Sequence, residues 1–598
     1  MTSAPRAPER RTTPSPSAAR AAAVGGLWGV GVAGLFTPRL SAPHAALALA
    51  LGAGAVALLA LARRNAAAWT HPALAAAAAA CGLVMNRLPE PTFFALVPLV
   101  AAAAFWPLGP PAAAERPLPR LAVPGLFALA AATFFLQSAA RHWAFGSGGK
   151  DLGLFYQTHW LIARGLPLDN TLLGMHVLAD HMTFLDFLVA PLLRLHDGPE
   201  TLLLVQALAV ASAVFPLYAL GRRLAGRARA ALAVPLLWLL APDVHSGVMF
   251  DYNQTPLGTA LLLWTVWALI CRGAVAIVLF TLATCAAKGN FCLYLVVVPL
   301  VLAVRLISWR RALAVSGLAL SVFLLEMLVL FPAFRPGGFR HWEFEELGQR
   351  PREIFATMAT RPLFTASLLV DHPQKRRSLL QPLATTGFLG LADPLSLAMQ
   401  LPNWGERFLS THRTRWWGYY YGMPALATAL VGLLLGWRAL ARAGRDGERL
   451  PAYLVSCALL VGLFPPYRTH DGDRRSMLYT WRRPYASDPE DARTQRAAVS
   501  FIGRDPRLRV AAQYHLIPHL AGRPFIVQLD RAAEADLVAL QLDGGTWPEG
   551  RPAWRRRVQE LWATGAFHVA FCQGETVVLR RGDAPGVACP AWEALLQR

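Results

Sequence analysis

Charge is what this sequence has least of. Only 16% of its 598 residues are Asp, Glu, Lys or Arg, where a soluble chain carries roughly a quarter. Acidic residues are the scarcer sign, 36 against 57 Lys and Arg, which leaves a net charge of +21. With 7 cysteines in the whole chain, a small disulfide scaffold is excluded. A hydrophobic content of 55% excludes disorder. No long stretch is both soluble and strongly basic, so the positive surplus does not point to nucleic acid. What remains is a polytopic membrane protein whose arginines flank its membrane segments.

Apolar runs of spanning length recur from residue 21 to residue 466. Four lie in the N-terminal part, at 21–37, 43–62, 72–88 and 92–107. Nine more follow at 120–138, 200–220, 227–241, 255–270, 273–287, 289–306, 312–332, 419–437 and 451–466. The stretch 379–402 is too long for one straight crossing and carries Pro394 near its middle, so it reads as two short segments forming a hairpin. The total is roughly fifteen crossings. The chain then divides into a basic tail (1–20), an N-terminal membrane extension (21–110), a membrane core (120–466) with loops 139–199, 333–378 and 403–418, and a C-terminal region (467–598).

Lys and Arg in short loops mark the cytoplasmic side. Arg6, Arg10, Arg11 and Arg20 place the N-terminal tail inside. The clusters Arg63–Arg64, Arg116 with Arg120, Arg222 to Arg229, Arg305 to Arg311 and Arg438 to Arg449 all fall on that side if 139–199 is one long outer loop. The apolar run Phe184–Leu195 must then lie on the membrane without crossing it. A cleaved signal peptide over 1–45 would put the later clusters on the wrong side.

Beyond residue 467 the apolar runs shrink to strand length: Arg509–Gln513, Pro524–Leu529, Leu537–Leu542 and Phe567–Phe571. Amphipathic stretches Asp491–Ile502 and Trp554–Ala563 lie among them, which predicts a small α/β domain. The topology puts it outside the cell. Its Cys572 and Cys589 are the one pair in an oxidising position, and a disulfide and two buried thiols are both open.

Polar groups that a bilayer discourages are the guide to function. The first outer loop opens with Lys150-Asp151 and Tyr156-Gln157 and continues to His176, Asp180-His181 and Asp186. Asp151, just beyond a membrane helix, can reach a group held at the interface; its alternative role is a helix N-cap. The histidine and acid spacing fits no compact metal motif, and His515 with His519 lacks the following Glu of a metalloprotease, so network histidines are favoured at both places. A second concentration is positive charge on the outer side. It comprises Lys288, then Arg335, Arg340, Arg350, Arg352, Arg361, Lys375, Arg376 and Arg377, then Arg407, Arg413 and Arg415 ahead of an interfacial Trp-Tyr cluster. Lys288 sits between two apolar helices and needs a partner, either Asp251, Glu326 or an anionic ligand such as a lipid phosphate. A carboxylate beside cations at headgroup depth suits sugar transfer from a polyprenyl-phosphate donor. That reaction needs one base and stabilisation of a leaving phosphate.

These residues resemble a family of bacterial polytopic membrane proteins of unknown function related to GT-C glycosyltransferases. Similar features occur in lipid-linked aminoarabinose transferases and protein O-mannosyltransferases. The match runs in order from Asp151 through Gln157, Asp180-His181, Gln206, Leu220-Gly221-Arg222-Arg223, Phe250-Asp251-Tyr252, Lys288-Gly289 and Leu401-Pro402-Asn403 to Ala511-Ala512-Gln513 and Ile517-Pro518-His519-Leu520. It covers about 120–540 and leaves the first four helices as an extension. The resemblance implies an all-α polytopic membrane protein with a GT-C-like core and an extracytoplasmic α/β domain. It also implies Asp151 as catalytic base and Lys288 at the donor phosphate. Asp180, His181, Asp251, Gln157, Arg376 and Arg413 are the remaining substrate-binding candidates. The sequence departs from the family at Tyr156, Asn253, Gly289 and Asn290, where acidic residues or a histidine often stand. No cofactor is required by this reading, and a divalent metal stays open. The expected partners are membrane lipid, a polyprenyl-phosphate-linked sugar and an acceptor of unknown identity. A transporter or lipid flippase, and a non-catalytic assembly or sensor protein, are the alternatives; no internal repeat of the kind transporters often show is visible.

Overall fold

The computed structural model describes residues 118–337, 339–444, 450–463 and 489–597, together with 94, 97–99 and 101. The chain divides into two compact units, Met1–Pro111 with Leu463–Leu478, and Ala112–Gly462 with Tyr479–Arg598. Nearly all of the first unit, including the four N-terminal runs and the arginines of the tail, lies outside the described residues, as do Arg445 and Arg449. The second unit carries everything that follows.

All nine apolar runs from residue 120 onward are helical. Five helices are long and apolar enough to cross a membrane: Ala122–Trp143, Glu200–Leu224, Gln254–Cys271, Trp309–Phe334 and Met423–Arg442. The pair Ala230–Leu240 and Pro242–Phe250, bent by 44°, meets the same length and apolarity when its two halves are counted as one span. The bend has a local cause: proline disfavours helical geometry in the residue before it, and Ala241 is extended, at ψ 132°. Ala274–Ala287, Phe291–Ala303 and Leu450–Gly462 are shorter apolar helices. The first two, of 14 and 13 residues, fall short of the ~20 needed for a straight crossing.

Met423–Arg442 is the central helix, buried at every position from Met423 to Trp437. Trp309–Phe334 is peripheral and presents Leu313, Leu324, Leu328 and Val329 outward, as a lipid-facing helix must. The stretch 379–402 departs from a simple hairpin. It is the end of helix Pro373–Thr385 followed by two 3₁₀ turns, Leu389–Ala392 and Pro394–Gln400. These turns lie against Gly432 and Gly436 of the central helix. A Cβ at Gly436 would sit 2.0 Å from the Leu389 carbonyl oxygen, and one at Gly432 would sit 2.9 Å from Ser396 Oγ. Small residues spaced by four let backbones approach in this way. The run after Phe184 is a short helix, Leu185–Val189, and a 3₁₀ turn, Ala190–Arg194, too short to cross and with Leu188 and Leu195 exposed.

In the loop 139–199, Asp169–Asn170 (β1) pairs with Met175–His176 (β2). The C-terminal region is a five-stranded sheet in the order β4-β3-β5-β7-β6. Val510–Ala512 (β3) is parallel to Ile526–Val527 (β4) and to Leu537–Gln541 (β5). Phe567–Gln573 (β6) and Thr576–Arg581 (β7) form an antiparallel hairpin, and β7 pairs with β5. The four strands read from the sequence are present; β7 was not anticipated. Cys572 and Cys589 form a disulfide. Alternation along β5 determines what each face covers. Leu537 and Ala539 join a core with Leu152, Tyr156 and Trp160 of the loop 139–199. Val538 and Leu540 pack with Trp554, Val558 and Leu561 of helix Arg551–Ala563. The sheet therefore holds the segment that carries Asp151.

Candidate functional site

Asp151 lies in one π-helical turn, Gly149–Gly153, continuous with helix Leu154–Arg164. Such turns mark functional sites in helices more often than chance. Two glycines permit it here: a Cβ at Gly149 or Gly153 would lie 2.7 Å from the Ile517 side chain. The first residue of helix Ile517–Leu520 thus seats directly on the turn.

Asp251 holds the start of the turn. Its carboxylate pairs with Arg141 and accepts a hydrogen bond from Gly148 N–H at 2.8 Å. Gln206 Nε2 donates to the Asp251 carbonyl at 2.9 Å, and Gln206 Oε1 accepts from Asn253 N–H at 2.9 Å. Asp251 is thereby a buried anchor.

Asp151 is different. It is half-buried, does not cap the turn, and its carboxylate makes no hydrogen bond to any described residue. Burial, followed by the nearby negative charge of Asp251, pushes its pKa up to about 7; Arg141, Lys288 and Lys150 oppose the shift. Tyr420, Tyr421 and Tyr514 lie within electrostatic reach of it. The Tyr420 hydroxyl donates to that of Tyr421 at 3.0 Å.

Lys288 ends helix Ala274–Ala287 and precedes helix Phe291–Ala303. Its ammonium has no ion pair or hydrogen bond among the described residues. Neither protein partner expected from the sequence reaches it: Asp251 is taken by Arg141, and both carboxylate oxygens of Glu326 are buried without a hydrogen-bond partner among the described residues. A Cβ at Gly289 would lie 2.3 Å from Glu326 Oε2, so glycine is needed there. Around Lys288 at longer range lie Glu406, Arg415, Asp180 and Asp151. Glu406 is engaged by Asn290 Nδ2 at 2.8 and 3.0 Å, and Arg415 pairs with Glu343 at 2.7 Å.

Asp180 adjoins this group. Arg340 Nη2 lies 2.7 Å and His341 Nε2 3.0 Å from its Oδ1, and His181 Nε2 lies 3.7 Å from its Oδ2. The rings of His181 and His341 stack at 4.7 Å. Burial alone would raise the Asp180 pKa, but His181, His341 and Arg340 together hold it well below the ordinary carboxylate range. Burial, followed by the charge of Lys288, pushes the His181 pKa down, and Asp180 opposes the shift. Asp180, His181 and His341 bring one ligand-type atom each within 4.8 Å of one another. Three donors are one short of a closed tetrahedral set, and Arg340 already neutralises the carboxylate. The arrangement is a charge-compensated network. Of the other histidines and acids of the loop, His176 stacks on Phe334, and Asp186 accepts from Gln254. His519 stacks on His142 at 4.0 Å.

The structure thus brings Asp151, Lys288, Asp180 and His181 into one electrostatic neighbourhood, with Asp251 bracing it. Three sequence candidates stand apart. Gln157 is a buried clamp that donates to Thr171 Oγ1 at 2.8 Å and to the Pro524 carbonyl at 3.2 Å. Arg376 is exposed and donates to the Val370 carbonyl at 2.7 Å. Arg413 is exposed at the start of a 3₁₀ turn. The sequence reading missed Arg141, His341, Glu406 and Tyr514. For Arg141 a signal existed, since it falls in the last turn of an apolar helix, at the end that the sequence reading expects to face outward and where the charge bias disfavours arginine.

Among solved structures the chain is similar to ArnT from Cupriavidus metallidurans bound to undecaprenyl phosphate, at 14% identity and a TM-score of 0.49, over 79% of this chain and 100% of that one. It is also similar to the apo state of ArnT from the same organism, at 14% identity and a TM-score of 0.47, over 76% and 97% of the two chains. No curated protein matches it. The family model described as "Predicted membrane protein (DUF2079)" matches residues 141–578, from Arg141 at the site to the middle of β7. With well over half of its length matched, the chain belongs to the DUF2079 family of predicted membrane proteins.

Proposed function

We propose that this protein is an integral-membrane glycosyltransferase that moves a sugar from a polyprenyl-phosphate carrier to an acceptor hydroxyl on the extracytoplasmic side. Asp151 is the general base and Lys288 the principal cation for the donor phosphate. The acceptor O–H gives its proton to the Asp151 carboxylate as its oxygen attacks the anomeric carbon. The bond from that carbon to the phosphate oxygen breaks, and polyprenyl phosphate leaves with the electron pair. Lys288, with Arg415 behind it, stabilises the charge that develops there. The amino end of helix Phe291–Ala303, directly after Lys288, adds a favourable dipole.

One observation supports this reading: a half-buried carboxylate and an ammonium share one neighbourhood, and neither has a hydrogen-bond or ion-pair partner among the described residues. A structural ion pair would have brought them together. A base poised near neutrality matches general-base catalysis. The orientation, with the N-terminus inside and the sheet domain outside, belongs to the same proposal and agrees with the Cys572–Cys589 disulfide.

The test is transfer from a polyprenyl-phosphate-linked sugar in proteoliposomes. Asp151→Asn is expected to lower the rate about 10²- to 10⁴-fold with donor binding retained. Because the base works deprotonated, the wild-type rate should rise with pH through about 7, and the residual rate of the variant should lack that limb. Equal rates would remove Asp151 from the mechanism.

A further inference from the structure

A second site lies beside the first, where the sheet domain meets the Asp151 turn. It is an open cleft with an empty volume of about 530 Å³, lined by Lys150, Tyr514, Gln528, Asp530, Trp547 and Trp554 among others. Its floor is aromatic. Trp547, 51% exposed, stands with its ring centroid 4.4 Å from that of Tyr514, and Lys150 Nζ lies 5.1 Å from the Trp547 ring. Trp554 in the wall is 2% exposed, yet its Nε1–H has no hydrogen-bond partner among the described residues. A buried donor without an acceptor calls for an explanation. Gln528 and Asp530 make no side-chain hydrogen bond to a described residue either.

We infer that this cleft binds the acceptor, and that the acceptor is a carbohydrate; the inference rests on the transferase reading above. An aromatic face takes the apolar C–H face of a sugar ring, while free amide and carboxylate groups take its hydroxyls. The charges favour a neutral polyol over a second phosphate. The lining carries one lysine, Lys150, against two carboxylates, Asp530 and Glu549, and Glu549 is already paired with Arg557. A peptide laid along the sheet is disfavoured. The edge strand β4 is occupied, because Thr171 Oγ1 donates to the Ile526 carbonyl at 2.6 Å and accepts from Ile526 N–H at 3.1 Å. The cleft is also continuous with the reaction site. Lys150 precedes Asp151 in one turn, and the Tyr514 hydroxyl lies against Gly148, where a Cβ would meet it at 2.4 Å. A sugar stacked on Trp547 can therefore present a hydroxyl toward the Asp151 carboxylate.

The experiment is saturation-transfer NMR on the full-length protein in lipid nanodiscs, with chitotriose, cellotriose and mannotriose as probes and a Ser-Thr hexapeptide as comparison. At least one sugar should show saturation of its ring protons. That signal should fall about fivefold or more in Trp547→Ala and be retained in Trp547→Phe. Trp547 is half exposed, so the variant keeps its fold, and thermal unfolding of the two proteins verifies it. No saturation of any sugar, an unchanged signal in Trp547→Ala, or saturation of the peptide in place of the sugars would each overturn the inference. Asp151→Asn should bind the sugars as wild type does. If that variant also transferred at the wild-type rate, the base assignment would fail while the cleft stood.

Discussion

Lys288 shows how much a single side chain can say in a membrane protein. An ammonium between two apolar helices is retained only if something compensates it; of the protein partners expected for it, Asp251 is paired with Arg141 and Glu326 makes no hydrogen bond to a described residue. Were Lys288 a structural cation paired with a buried carboxylate, replacing it alone would leave that charge uncompensated and destabilise the protein by about 3–5 kcal/mol. As a phosphate ligand, it should be indispensable to donor use. Lys288→Met is therefore expected to raise the half-saturating concentration of the polyprenyl-phosphate donor at least tenfold, about the loss of one charge-assisted hydrogen bond, without lowering thermal stability. Donor titrations in proteoliposomes check it; unchanged saturation would return Lys288 to a structural role. Asp151 was identifiable from its position beyond a membrane helix, but its N-cap alternative was removed by the structure. His341 was not identifiable, because it lies 161 residues from Asp180 in sequence and nothing local marks it.

At the level of elements, run length located the five long apolar helices from residue 120 onward, because a bilayer demands long apolar runs whatever the tertiary context; short helices such as Pro351–Thr360 and Leu401–Phe408, which have no such run, escaped it. It did not resolve 379–402. There the chain adopts 3₁₀ turns that pack against Gly432 and Gly436 of another helix and are tied down by the Arg305–Asp393 ion pair, contacts made far away in sequence. Close backbone approach makes a definite prediction. Gly436→Ala forces a Cβ toward the Leu389 carbonyl and should destabilise the protein by about 1–3 kcal/mol. Gly125→Ala, whose Cβ would meet nothing within 4 Å, should be neutral or slightly stabilising. Thermal unfolding in detergent compares the two. Strand β7 escaped the sequence reading for a related reason. Its apolar centre, Val577 to Leu579, is only three residues long and buried on both faces, so it shows no alternation to read.

At the scale of the whole molecule, the proposed function requires the first outer loop and the sheet domain to share one side of the membrane. The two are packed in a single core through Leu152, Tyr156, Leu537 and Ala539, so they cannot be on opposite sides. Exposed positions make the side measurable: His196→Cys and Asp583→Cys should react with a membrane-impermeant maleimide on intact cells, and Arg227→Cys only after permeabilisation. The reverse pattern would put Asp151 in the cytosol, away from the proposed reaction. Composition and run lengths by themselves determined that this is a multi-pass membrane chain with a small C-terminal α/β domain, because burial in lipid and strand pairing both leave local signatures. Only the tertiary structure decided which polar residues meet. Asp151, Lys288 and Asp180 come from distant segments, while Gln157, Arg376 and Arg413 look similar in sequence but lie elsewhere. Which side chains converge depends on how distant helices and the sheet pack together, and no local pattern records that.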